Sequence, residues 1–323
     1  MLQFIARRLA LGCVVLIAII VLGFGLLNLL PGDPILYLLP EAADSQQYAE
    51  LRQRFGLDRS FVERFGAYLG ELARGNLGYS LSQQRPVAEA IFERIPATLT
   101  LAAAAFAVAL TGPLLGLLLG YLASSHVRME RAVFLVLLLS TGLPPFLTGL
   151  ALILVFSLHL GTLPSQGMFS LQETFTGLER VFDLFAHLML PAITLGIQPL
   201  AALARITRAR AAEILAQDFI TTARAKGLGE AAILFRHVLK NALPAPIAWL
   251  GTSVGHWVGG AVITETVFAW PGVGRLAVEA VLARDYALLL GAMQVAAFAV
   301  VFANLVADLL IAAVDPRVRH GQD

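Results

Sequence analysis

Several short patterns in the 323-residue chain have the residue types for chemistry. Gly251-Thr-Ser253-Val-Gly255 has the spacing of a nucleophile elbow, where a tight turn presents a serine to a carbonyl. A six-span membrane serine protease needs a histidine on a neighbouring helix to take the serine proton. Here His256 follows Ser253 by three residues on the same apolar segment, and the last apolar segment has no histidine. Gly272-Val-Gly274-Arg-Leu-Ala277 and Gly227-Leu-Gly229-Glu-Ala-Ala232 match a dinucleotide-binding turn, but neither follows a strand in a βαβ unit. His126, His159, His187, His237, His256 and His320 include no pair at metal-ligand spacing, so no metal is expected. The single cysteine, Cys13, permits no disulfide within the chain. No Gly-x-x-x-x-Gly-Lys-Ser/Thr occurs, so the chain itself is not expected to bind or hydrolyse ATP. The residues predict neither an enzyme nor a resident cofactor.

The elements that carry these residues explain why. Hydrophobic residues make up 58% of the chain and charged residues 14%, with a formal net charge of +1. The charges are unevenly placed. Residues 9–32, 95–127, 132–172, 184–204, 241–264 and 286–307 contain no Asp, Glu, Lys or Arg. The remainder is about 28% charged, ordinary for sequence in water. About twenty apolar residues cross a ~30 Å hydrocarbon core as a helix. We therefore expect an all-α polytopic membrane protein with six transmembrane helices, near 9–30, 97–123, 132–158, 187–206, 246–267 and 287–311. A soluble enzyme, a disordered chain and a nucleic-acid binder fit poorly. The first apolar run is too long for a signal peptide core and lacks a small-x-small cleavage site, so Arg7 and Arg8 read as a positive anchor. Lys and Arg cluster at the N-terminus, at Arg128 and Arg131, between 205 and 240, and at Arg317 and Arg319, which predicts both termini inside.

The outside segment 31–96 reads as helices. Tyr48, Leu51 and Phe55 stop at Gly56; Ser60-Phe61-Val62-Glu63 is a capping box leading into a stripe of Val62, Phe65, Leu69 and Leu72 that ends at Gly75; and a third piece from Pro86 carries Val87, Ile91 and Ile95. It is either a cap on the membrane face or a docking or gating surface for an outside partner. Within the spans, Gly112, Gly116 and Gly120, and again Gly251, Gly255 and Gly259, form flat strips for close helix approach. Such strips serve packing inside one subunit, a seam between subunits, or a moving gate. Pro144-Pro145 should break or bend the third span. Glu265 and Asp308 are expected at opposite membrane interfaces. No row of carboxylates or histidines crosses the membrane, which argues against a proton-driven carrier.

The most informative stretch is the basic segment 205–243. Two helical pieces meet at Gly227, the first ending in Phe219, Ile220, Ala223, Arg224 and Lys226. The second places Ala231, Phe235, Val238 and Leu239 on one face, with Arg236, His237 and Lys240 off it. A helix–Gly–helix projecting from a membrane can seat in a partner and carry its movement.

Thr221-Thr-Ala-Arg-Ala-Lys226-Gly227-Leu228, followed by Arg236-His237 and Asn241-Ala-Leu-Pro244, resembles the "EAA" coupling loop of ABC importer permeases of the dipeptide/oligopeptide/nickel family. The likeness extends through Pro31-Gly-Asp-Pro34, Phe55-Gly-Leu-Asp58, Gly75-Asn-Leu-Gly-Tyr-Ser80, His187 to Pro191, Glu265 to Gly274, Arg284-Asp-Tyr286 and Asp315-Pro-Arg317. Asn76 stands where the family usually has Asp, and Thr221-Thr222 where it has Glu-Ala. The resemblance implies a type I importer permease in the bacterial inner membrane. Residues 1–30 would be the tail and first span, 31–96 a periplasmic helical insertion, 97–314 a five-helix core including the coupling loop 207–243, and 315–323 a cytoplasmic tail. It implies a second homologous permease subunit, a periplasmic solute-binding protein, and two ABC ATPases that hold ATP and Mg. Asp218, Thr221, Thr222, Ala223, Arg224, Ala225, Lys226, Gly227, Leu228 and Gly229 would seat in the ATPase. The two glycine strips, Pro144, Pro145 and Glu265 would serve packing or gating. The cargo would be a peptide, a glutathione-like compound or a nickel or metal chelate. The rival class is a secondary carrier working without an ATPase.

Overall fold

The computed structural model describes residues 2–29, 48, 53, 58–123, 126–170 and 175–314. Leu51, Phe55 and Gly56, the motif at Pro31 to Pro34, and Asp315 to Arg317 lie outside them. Among the described residues four helical stretches are long and apolar enough to cross a membrane: Arg8–Leu26, Val87–Leu122, Leu178–Leu215 and Tyr286–Leu309. A fifth candidate is the pair Val127–Gly142 and Pro145–His159, bent by 117°. The break falls at Leu143-Pro144, where Pro144 and Pro145 have no N–H to continue the ladder. The expected fifth span lies within the helix Pro244–Val267, which has the length. Its glycines, Thr252, Ser253 and His256 dilute its apolarity.

The chain divides into two compact units. The first holds Ala97–Pro271 and the stretch from Phe302 on. Its axis is the 38-residue helix Leu178–Leu215, about 57 Å long at 1.5 Å per residue. This exceeds the expected span 187–206 because charged turns continue the helix at both ends. The expected span 97–123 is two helices, Ile95–Leu110 and Gly112–Leu122, broken where Pro113 cannot donate. Glycines bring these helices against the long one. A Cβ on Gly112 would meet Leu200 O at 2.5 Å, and one on Gly116 would meet Thr207 Cβ at 2.8 Å. One on Gly120 would meet Ala211 Cβ at 2.8 Å, and one on Gly196 would meet Ala105 O at 2.6 Å. The first glycine strip therefore packs within this chain. The numbers rise together along both helices, so they run parallel. Pro244–Val267 runs the other way: Trp257 packs on Phe106 with centroids 5.8 Å apart, and Glu265 reaches Thr98. Gly255 and Gly259 have surroundings outside the described residues.

Glu265 has a partner that the sequence does not show. It is fully buried in the protein and accepts from Thr98 Oγ1 at 2.8 Å in the first turn of Ile95–Leu110. A carboxylate there complements the free N–H groups of a helix start. Beside it, buried Trp270 donates Nε1–H to Ala97 O at 2.8 Å. Asp308 lies half-buried in the last helix, Tyr286–Val314.

The second unit holds Leu2–Pro96 and Gly272–Val301, so the expected N-terminal insertion is completed by a segment from the far end of the chain. Nor is it all helical. After the helix Phe61–Ala73, Tyr79–Ser80 pairs antiparallel with Arg85–Pro86. Val87, Ala90 and Ile91 then pack with Val273, Leu276, Ala280, Leu288 and Ala292. Asp285 pins the hairpin. Its Oδ2 accepts from Ser80 Oγ at 2.6 Å and from the Ser82 N–H at 2.9 Å, while Oδ1 takes the Leu288 N–H at 3.0 Å as a helix cap.

The capping box forms as written, with Glu63 N–H donating to Ser60 Oγ and Glu63 Oε2 accepting from Ser60 N–H. The stripe holds in part: Val62 is 76% exposed and Leu69 40%, while its member Phe65 packs on Phe24 together with Tyr68, each with centroids 5.2 Å from that ring. Three aromatic rings outweigh one aliphatic contact in choosing the face. Asn76 donates to Glu71 Oε2 at 2.7 Å and accepts from the Gly78 N–H at 2.9 Å. Only an amide makes both bonds; an Asp carboxylate would face Glu71 with like charge.

Candidate coupling site

Between the long helix and Pro244–Val267 the chain makes a knuckle. The helix Leu178–Leu215 ends at Ala216, and Asp218–Ala225 starts after Gln217, with Asp218 in its positive first turn. The short helix closes on a left-handed glycine. Gly227 has φ +79, and its N–H donates to Arg224 O at 2.9 Å. Nothing lies within 4 Å of where its Cβ would be, so conformation and not space calls for glycine here. Gly229 then leads into a second helical run, Glu230–Ala232, Ile233–Leu239 and Lys240–Ala242.

The middle of that run is π-helical, which corrects the expected face. Ile233, Val238 and Ala242 are buried, while Ala231 is exposed and Phe235 is 59% exposed. The wider π turn puts residues five apart in line, so Ile233 and Val238 share a face that 3.6-residue periodicity separates. With Ile220 and Ala223 they pack against Leu117, Ala211 and Ile214.

The knuckle is thus backed by an apolar seat and presents a polar edge. Asp218, Thr221, Thr222, Ala225, Lys226, Leu228 and Gly229 are exposed, as is Phe219. Ala223 is the one expected contact residue that is buried, serving the seat. Arg224 is exposed but engaged: Nε and Nη2 donate to Glu230 Oε1 and Oε2 at 2.8 and 3.3 Å. This fork holds the two helices across Gly227, and its hydrogen bonds and charge raise the Arg224 pKa above its ordinary value. Glu230 was not legible as a site residue, because the pairing spans a turn whose geometry the sequence does not state. Beside the knuckle is a cleft of about 350 Å³, lined among others by Arg210, Gln217, Phe219 and Asn241. None of this arrangement places a nucleophile beside a base.

The sequence matches the family "Binding-protein-dependent transport system inner membrane component" over residues 112–320, and the N-terminal membrane component of such systems over residues 1–102. It is 39% identical to the di/tripeptide transport system permease protein DppB of Pseudomonas aeruginosa, over 99% of each chain. It is 36% identical to the dipeptide transport system permease protein DppB of Escherichia coli K12, again over 99% of each. With the oligopeptide transport system permease protein AppB of Bacillus subtilis it shares 34% identity, over 99% of this chain and all of the other. The chain belongs to the family of inner membrane components of binding-protein-dependent transport systems. It is a permease subunit of an ABC transporter and not an enzyme, and the ATPase is a separate subunit.

Proposed function

We propose that this chain forms half of a translocation pathway for di- and oligopeptides, importing them when ATPases grip the segment Asp218 to Gly229. The carrying observation is the knuckle, whose exposed edge stands on a buried seat continuous with the long helix. A push there moves a packed body and not a loose loop. The peptide cargo follows the names of the relatives, which speak of di/tripeptides, dipeptides and oligopeptides. No such support favours nickel. The other half would be a homologous permease subunit, with two ATPases holding ATP and Mg and an external solute-binding protein delivering peptide.

Six crossings of the inner membrane, both termini cytoplasmic, fit the helix directions. Because Ile95–Leu122 and Leu178–Leu215 run parallel, the bent pair between them makes one net crossing. Pro244–Val267, antiparallel to the second span, then leaves the side that carries the knuckle. Residues 31–96 would lie outside, 97–314 form the core with its cytoplasmic loop, and 315–323 form a cytoplasmic tail. The strip at Gly112, Gly116 and Gly120 serves packing inside the subunit. Gly251, Gly255 and Gly259, with Pro144, Pro145 and Glu265, remain the proposed seam or gate.

The test is uptake of radiolabelled dialanine by the complete transporter in liposomes. We expect uptake to require ATP and the binding protein. Gly227→Leu should insert normally, yet lose the stimulation of ATP hydrolysis on peptide delivery. Wild-type stimulation in that variant would refute the coupling assignment, and uptake by this chain alone on an ion gradient would favour a secondary carrier.

A further inference from the structure

Glu130 stands in the first turn of Val127–Gly142 with its carboxylate buried, and Arg208 Nε of the long helix donates to its Oε1. One turn along, the Phe134 ring lies under the same guanidinium, 4.6 Å from centroid to Cζ. Two groups of one helix therefore hold one arginine of another. Neighbouring residues of the long helix are engaged too. Thr207 lies against Gly116, and Ala211 lies against Gly120 and in the seat beneath the knuckle. The pairs Arg74–Glu71 and Arg210–Glu213 have both partners well exposed, whereas His187–Asp183, like Glu130, is buried. The Glu130 carboxylate is only 4% exposed. Replacing a buried pair by apolar residues is often neutral, and the best-attested use of such a pair is to fix one register among several.

We propose that Glu130, Phe134 and Arg208 are positioning residues that fasten the bent pair to the helix bearing the knuckle. Displacement of the knuckle is then delivered to the bend at Pro144-Pro145. Without the fastening, the long helix moves and the bent pair lags. This rests on the coupling role proposed for Asp218 to Gly229, and adds where the motion goes.

Two measurements separate the ideas. In the reconstituted transporter, dialanine imported per ATP hydrolysed should fall about tenfold in Glu130→Gln and in Arg208→Gln, while hydrolysis stays within about threefold of wild type. Arg208→Lys, which keeps the charge and loses the stacked fork, should fall less. The exchange Glu130→Arg with Arg208→Glu should recover most of the ratio. An unchanged ratio, or transport and hydrolysis falling in step in every variant including Arg208→Lys, overturns the proposal. Spin labels at the exposed positions Met129 and Glu213, in a Cys13→Ser background, test the fastening without transport. Their distance distribution should be narrow in wild type and broader by about twofold or more in Arg208→Gln. An equal width in both overturns it, whatever the uptake result. A wild-type complex that imports no dialanine counts instead against the proposed function.

Discussion

Gly227 and Arg224 illustrate two kinds of residue that share a segment and differ in legibility. Gly227 could be found because a glycine between two helical patterns implies a left-handed turn, and φ is +79 there. Since the space around it is empty, the structure predicts an unusual tolerance. Gly227→Asn should keep most of the coupling, because Asn adopts the left-handed region, whereas β-branched Gly227→Val should lose it at a cost of about 1–2 kcal/mol. Peptide-stimulated ATP hydrolysis would rank the two, and equal loss in both would point to bulk. Arg224, an expected contact for the ATPase, also pairs with Glu230. Glu230→Gln should therefore weaken coupling about as much as Arg224→Gln does. At Glu63 the prediction concerns pH. Hydrogen bonds from Ser60, the side chain first, hold its pKa below the ordinary 4.5. A depressed carboxylate pKa contributes stability above the unfolded value and loses it as pH falls through the folded one. Amide exchange at the start of Phe61–Ala73 should thus be constant near neutrality and quicken, relative to its intrinsic rate, below about pH 4.5.

Among elements, the helices along the membrane were readable from the absence of charge, since hydrocarbon admits little else. Their ends were not. The ends of Leu178–Leu215 are charged yet helical, and the π turns at Ile233–Leu239 shift the buried face without any change in composition. The face of Phe61–Ala73 was legible at Phe65 but not at Tyr68, because their partner, Phe24, is remote in sequence. Helix contact is where glycine matters most. Gly116→Ala would place its methyl against Ala204 O and Thr207 Cβ, backbone and branched side chain that cannot yield. It should destabilise the protein in detergent by about 1–3 kcal/mol. Gly25→Ala, with open space around it, should leave the melting temperature unchanged. A similar loss at both positions would mean that helix propensity and not contact sets the response.

For the whole molecule, two of the motif pieces quoted from the sequence meet: Ser80 of one donates to Asp285 of another. Sequence order shows the pieces but not the pairing. The proposed orientation can be read with single cysteines in a Cys13→Ser background. A cysteine at Ser82 should react with an impermeant maleimide from outside intact cells, and one at Thr222 only after the cells are opened. The reverse pattern would invert the topology. The bond between Ser80 and Asp285, 205 positions apart, also has a consequence for synthesis on the ribosome. At about 5–20 residues per second, the hairpin waits some 10–40 seconds for the carboxylate that pins it. Throughout that interval Val87, Ala90 and Ile91 lack their partners, and the nascent segment is exposed to proteases and chaperones. A chain halted at Pro271 should therefore leave residues 61–92 open to digestion, and one extended to Val301 should protect them.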